Sequence, residues 1–124
     1  VSSTDERRRR AQRAAAIDPT DTLAVARAES EAAHAGGTDA DWLRSLVGKW
    51  AFVEGARMNY RGYVKAILVG ATGAPTGILF ASTRRVTHFT SAGGPQHEEP
   101  MGDWLLPYTY VHGICEQPKG WPTS

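Results

Sequence analysis

Tyr60-Arg61-Gly62-Tyr63-Val64-Lys65-Ala66-Ile67-Leu68-Val69 decides the fold. Aromatic and branched apolar residues give these ten positions the density and length of one full β-strand. Gly62 lies inside the pattern, and an interior glycine in a strand marks a bulge or a sharp bend, which is how a small sheet curls into a barrel. Upstream, Lys49-Trp50-Ala51-Phe52-Val53-Glu54 reads as a second strand. Downstream, Ile78-Leu79-Phe80-Ala81 reads as a third, joined through Gly70-Ala71-Thr72-Gly73-Ala74-Pro75-Thr76-Gly77. The glycines of that connection raise the question of a phosphate loop. No Lys-Ser or Lys-Thr pair follows, and the next element is strand and not helix, so the segment is a hairpin connection.

Farther along, Ser82 to Thr90 alternates in part and carries Arg84-Arg85. Gly93-Gly94-Pro95 and Glu98-Glu99-Pro100 then break the pattern and predict an extended or mobile loop from Ser91 to Asp103. Trp104 to Pro107 and Tyr108 to Cys115 supply a further strand pair or one bent strand, with Pro107 at an edge or kink. A Pro-rich tail, Gln117 to Ser124, is expected to be extended, with Trp121 as an anchor. Before the first strand, Thr38-Asp39-Ala40-Asp41 opens a short helix that carries Trp42, Leu43 and Leu46 on one face and stops at Gly48. Such a helix suits the open end of a barrel. The expected fold is therefore mainly β: a small SH3-like or OB-like barrel with a short capping helix and an N-terminal α-helical arm. An α+β roll is the alternative.

The arm is read from composition. The 124 residues carry a formal charge of +1 and are 41% hydrophobic and 22% charged, as a globular protein of one core should be. Residues 1–37 hold ten of the alanines, six of the eleven arginines and no aromatic residue, whereas all eleven aromatics fall in residues 38–124. Alanine buries too little area to offset about 1–2 kcal/mol of backbone entropy per ordered residue, so the arm depends on another surface for its order. The division is an arm over 1–37 and a barrel over 38–124. Within the arm, Asp5-Glu6 before Arg7-Arg8-Arg9-Arg10 favours a first helix through its dipole. Asp18 as N-cap and Pro19 as first helical residue favour a second, to about Ala35, ended by Gly36-Gly37.

Composition also excludes. A single cysteine rules out an intramolecular disulfide and a Cys-rich zinc module. No apolar run reaches the roughly 18 residues of a membrane span, and the basic N-terminal stretch does not lead into the apolar segment of a signal peptide. Synthesis and folding in the cytoplasm are expected.

No catalytic residue, metal ligand or cofactor site is assigned. His112 and Cys115 are separated by an odd number of strand positions and face opposite sides, which is poor geometry for a chelate. Cys115 lacks an orienting third group for nucleophilic catalysis. Glu98 and Glu99 are adjacent in the expected loop, whereas acid/base catalysis needs rigidly held carboxylates at a fixed separation. The aromatics are another matter, because eleven exceed what one small core takes in. The expected assembly interface comprises Arg7, Arg8, Arg9, Arg10 and Arg13, with Leu23 and Val25 of the second helix, and Trp42, Trp104, Tyr108, Tyr110 and Trp121. Alternative contacts to single-stranded nucleic acid are Arg57, Tyr60, Arg61, Tyr63, Lys65, Arg84 and Arg85. The near-neutral total charge tilts the choice to a protein partner, in a homo-oligomer or larger assembly.

Gly48-Lys49-Trp50-Ala51-Phe52-Val53-Glu54, Met58-Asn59-Tyr60-Arg61-Gly62-Tyr63-Val64, His112-Gly113-Ile114 and Gly120-Trp121-Pro122 resemble segments of small single-barrel, SH3-like proteins of phages and phage-derived gene clusters. The resemblance spans Val47 to Pro122, none of the arm, and implies a non-enzymatic structural or assembly protein; the split composition adds the expectation that the arm gains order on the next subunit of a phage-like shell, tail or filament. Tyr60-Arg61-Gly62-Tyr63-Val64 is also similar to the strand-Gly-strand element of KOW-type barrels, which implies nucleic-acid binding.

Overall fold

Tyr60 to Val69 belong to one strand, and its bend at Gly62 sets the geometry of the whole sheet. The computed structural model describes residues 21–90 and 94–124. In order these form helices α1 (Thr22–Ala35) and α2 (Asp39–Ser45), then strands β1 (Trp50–Gly55), β2 (Asn59–Val69), β3 (Pro75–Thr90) and β4 (Gly94–Pro107). A 3-10 turn (Tyr108–Tyr110) leads into β5 (Val111–Glu116). The five strands make one antiparallel sheet of order β4-β3-β2-β1-β5.

The sheet bends along a line that crosses three strands. On β2 the pairing with β3 shifts between Arg61 and Tyr63, around Gly62. On β3 the pairing with β4 shifts between Phe80 and Thr83, where Ser82 takes φ 51°. On β4, opposite Thr83, Gly102 takes φ 67°. Phe80 packs onto the bend so closely that a Cβ on Gly62 would lie 3.1 Å from its ring.

The curved inner face buries Ala51, Val53, Val64, Ile78, Phe80, Leu106 and Ile114, and α2 adds Leu43 and Leu46. α2 thus covers one end of the curved sheet, half-burying Trp42 against the core. Tyr108 ties the β4–β5 link to this helix by donating to Asp39 Oδ2 at 2.7 Å. Burial, and then the Asp39 hydrogen bond and charge, raise its phenol above the ordinary range.

The outer face of β1 and β5 forms a second, smaller core of Phe52, Cys115, Ala26 and Trp121, with Leu23 and Val25 packed against it. α1 lies there. Its N-cap is Asp21, whose side chain accepts from Ala24 N–H at 3.2 Å. The expected start at Asp18-Pro19, the first helix and Arg7 to Arg13 lie outside the described residues. The helix approaches β5 closely because Gly113 has no side chain: a Cβ there would sit 2.8 Å from the backbone of Ala26 and Arg27. Ser30 then seals the free edge of β5, accepting from Ile114 N–H at 2.8 Å and donating to its carbonyl at 3.4 Å. Arg27 grips Glu54 of β1 with two hydrogen bonds, at 2.7 and 2.5 Å. The described part of the arm therefore finds its surface on its own sheet, and Leu23 and Val25 face inward and not towards a neighbour.

The loop expected from Ser91 to Asp103 is corrected for its described part: residues from Gly94 onward form β4. Strand is possible despite Pro95, Pro100 and Pro107 because β4 is an edge, paired on one side only, so no second neighbour needs their missing N–H. Glu98 and Glu99 are accordingly not a free loop tip.

Steric demand ranks two substitutions. Gly113→Ala meets backbone at 2.8 Å and should lower stability more than Gly62→Ala, which meets the Phe80 ring at 3.1 Å. Both should cost on the order of 1–3 kcal/mol by overpacking. Thermal unfolding of the two variants checks the order, and Gly113→Ala should also speed amide exchange across α1.

Candidate nucleic-acid interface

The tight connection between β1 and β2, Gly55 to Asn59, stands up as a ridge with a groove on each side. Gly55 allows it: its N–H donates to Met58 O at 2.8 Å, and a Cβ on Gly55 would lie 2.7 Å from that carbonyl. On one side, Arg57, Asn59, Arg85, Thr87 and His112 line a polar groove of about 560 Å³. Its acid, Glu54, is already held by Arg27. Arg85 gives one donor to Glu99 at 2.5 Å, while its Nε is buried with no hydrogen-bond partner. A buried orphan donor is uncommon and is costly until an acceptor reaches it.

On the other side, Met58, Tyr60, Trp104, Leu105, Pro107 and Tyr110 line an apolar groove of about 420 Å³. Tyr110 is 53% exposed and Trp104 40%. The ridge residues Gly55, Ala56, Arg57 and Met58 belong to both grooves. Cations and aromatic faces thus stand a single turn apart, which is the chemistry that accepts a phosphate on one side and a planar base on the other.

Residues expected at separate sites converge here. Arg57, Tyr60 and Arg85 come from the expected nucleic-acid contacts, Trp104 and Tyr110 from the expected assembly interface. Sequence reasoning misses Met58, Asn59 and His112, although a Gly-to-Asn turn between two apolar strands is a signal that could place the first two.

Other expected contacts lie elsewhere. Arg61 is 1% exposed on the outer face: Glu98 takes its Nε and one NH2 proton, and Pro122 and Ser124 carbonyls accept the rest of its bonds, at 2.8 and 2.9 Å. Its guanidinium lies 5.4 Å from the centre of the Trp50 ring. Arg61 is therefore corrected from a surface contact to a buried cation, because burial demands a paired charge and the pairing uses its donors. Arg84 donates to Ser124 O at 3.1 Å. Tyr63, 38% exposed, stands edge-on to Trp50, with Lys65 exposed two residues along the strand. Trp121 is corrected from exposed to buried, packed edge-on against Phe52 with ring centres 5.8 Å apart.

Among the described residues no group of three His, Cys, Asp or Glu side chains could hold a metal ion. His112 is exposed, at the point where the register of β5 with β1 shifts, and Cys115 is buried. Among the described residues no helix is long and apolar enough to cross a membrane.

No protein-family model and no curated protein matches the sequence. Solved structures do overlap it. A heptameric archaeal Sm protein is 14% identical over 61% of this chain and 96% of its own, with a TM-score of 0.46. A Pyrococcus abyssi Sm protein in complex with a uridine heptamer is 12% identical over 62% of this chain and 94% of its own, with a TM-score of 0.45. A chain of the NatC complex bound to CoA is 17% identical over 60% of this chain and 83% of its own, with a TM-score of 0.44. These are Sm and Sm-like proteins and their structural counterparts, not phage barrels. The resemblance to phage-derived proteins, and the virion role it implied, are corrected accordingly. The SH3-like or OB-like expectation holds at the coarser level of a mainly β chain, a bent five-stranded antiparallel sheet with helices before it.

Burial, then the charges of Glu29 and Glu116, push the Cys115 thiol up to about 12 from its ordinary 9.0. A raised folded-state value favours the thiol, so this contribution to stability is complete below about pH 9 and is lost as pH rises towards 12. Labelling with a thiol reagent at pH 8 should be slow in the native protein and fast in denaturant.

Proposed function

We propose that the chain is a non-enzymatic small barrel that binds single-stranded nucleic acid across the Gly55–Asn59 ridge. The observation that carries this is the pair of arginines, Arg57 and Arg85, lining one groove, one turn from an exposed aromatic wall. A phosphate meets the exposed Arg57, with Arg85 adding positive charge to the same groove. Across the ridge, Tyr60, Trp104 and Tyr110 present faces on which a base stacks, with little dependence on which base it is. Neither step needs bond breaking, and no positioned nucleophile or acid–base pair is invoked.

A second reading concerns self-association, and its own observation favours it. Leu68 and Leu105 converge over Gly77, where a Cβ would lie 3.7 and 3.3 Å from their methyl carbons. Leu105 is 52% exposed and Leu68 and Val69 are exposed beside it. A contiguous apolar patch of this kind suits a second copy of the chain. The two surfaces meet at Leu105, which also lines the apolar groove beside the ridge.

Fluorescence anisotropy with a labelled oligouridine tests the first. Replacing Arg57 or Arg85 by Gln should weaken binding and reduce the salt slope by about 0.7 for each phosphate that the variant no longer neutralises. Replacing Trp104 or Tyr110 by Ala should cost about 1–3 kcal/mol without changing the slope. Equal affinity in all four variants sinks the proposal. For the second reading, Leu105→Lys should reduce the oligomer size on a sizing column, and an unchanged size refutes it.

A further inference from the structure

Glu54 is an acid in the wall of the polar groove, and a helix from elsewhere in the chain decides whether a ligand meets its charge. On β1 it stands in register with Asn59 of β2, which pairs in turn with Val86 of β3, and all three line the groove beside Arg57 and Arg85. Arg85 is offset by Glu99, 2.5 Å away. Exposed Arg57 is thus the cation that a phosphate meets. A bare Glu54 would set two glutamates against these two arginines and cancel the attraction.

Glu54 is not bare. Arg27 of α1 takes both carboxylate oxygens, Nε donating to Oε1 at 2.7 Å and NH2 to Oε2 at 2.5 Å. It reaches them from a neighbouring groove of about 400 Å³, which it lines with Ser30, His34 and Tyr108, so the ion pair is a partition between the two grooves. The Arg27 side chain is 61% exposed and that of Glu54 only 11%. When α1 moves away, the cation returns to water and the acid stays in the groove wall. The helix is able to move at modest cost. The residues that it buries fully are Thr22, Ala26, Ala32 and Ala33, and it is held otherwise by close approach over Gly113 and by the Ser30 bonds to Ile114. Small side chains bury little area, and elements of that kind open before the core does.

We infer that Arg27 is a positioning residue of the ridge site: docked α1 masks Glu54 and keeps the groove cationic, and lifted α1 uncovers an acid that repels phosphate. The inference rests on the ridge as the place where a single strand binds. Strand binding and the docking of α1 are then linked, each strengthening the other by the same factor.

The test combines oligouridine anisotropy with hydrogen exchange of the α1 amides, on the full chain and on Arg27→Gln, Glu54→Gln and the double variant. Arg27→Gln should weaken binding about tenfold, because it leaves the carboxylate uncovered in the groove. Glu54→Gln should bind at least as tightly as the unaltered chain. The double variant should regain the original affinity although Arg27 is gone, an outcome that neither a direct phosphate contact by Arg27 nor simple loss of structure produces. Saturating oligouridine should slow α1 exchange in the unaltered chain and leave it unchanged in the double variant, where the link is cut. A double variant as weak as Arg27→Gln, or α1 exchange indifferent to ligand in the unaltered chain, overturns the inference. Should Arg27→Gln fail to fold, weaker binding by Glu54→Gln overturns it instead. Failure of the ridge itself reads differently, since Arg57→Gln then leaves oligouridine affinity unchanged.

Discussion

The close approach of Phe80 to Gly62 is the constraint on which the rest depends. A strand can bend sharply only where the residue on the inside of the bend takes almost no room, and the ring of Phe80 fills the space that a side chain on Gly62 would need. Once β2 bends there, its neighbours must bend beside it, and Ser82 and Gly102 accept positive φ to do so. The curved sheet then has an inside small enough for Val53, Val64, Ile78 and Leu106 to fill, and one end small enough for α2 to close. It also brings the β1–β2 ridge against the end of β4, which is why Trp104 and Arg57 border a common groove although they are far apart in sequence.

The outer face follows a different logic, since it is covered by segments with few large side chains. α1 buries Ala26, Ala32, Ala33 and Thr22, all small, and secures itself through close backbone contact, one serine and one ion pair. The C-terminal segment buries one tryptophan and otherwise relies on polar bonds to Arg61 and Gln117. Arg61 is the hinge between these regions: it touches the Trp50 ring, pairs with Glu98 of the far edge strand, and holds the chain's last residues. A buried cation with partners on three segments specifies one arrangement of them more than it stabilises any.

Much of this is legible in the sequence because it is local. The bend at Gly62, the short helix around Leu43 and Leu46, and the hairpin at Gly70 to Gly77 each depend on residues within one turn or strand. What is not legible is non-local. Whether Pro95 and Pro100 end a strand or lie on its free edge depends on which strands stand beside it, and sequence order does not state that. Arg61 and Glu98 have no pattern in common, and their pairing exists only because β2, β3 and β4 lie side by side in register. Trp121 reads both as an anchor of the tail and as an interface aromatic, and what it anchors to, Phe52, sits too far earlier in the chain for sequence order to name. The ridge is half visible: its cations and aromatics stand out in the sequence, but as two sites and not one.

The two ends of the sheet share a property with a consequence for crowding. β4 carries three prolines, and β5 has Ile114 bonded on its outer side by Ser30. A free strand edge is a template on which another chain can polymerise. Here one edge has lost donors by covalent structure and the other is occupied by a side chain. Copies held side by side along a polymer reach effective concentrations near the millimolar range, where an open edge would convert reversible neighbours into a fused sheet. With both edges guarded, neighbouring copies of the chain meet no open strand on which to fuse.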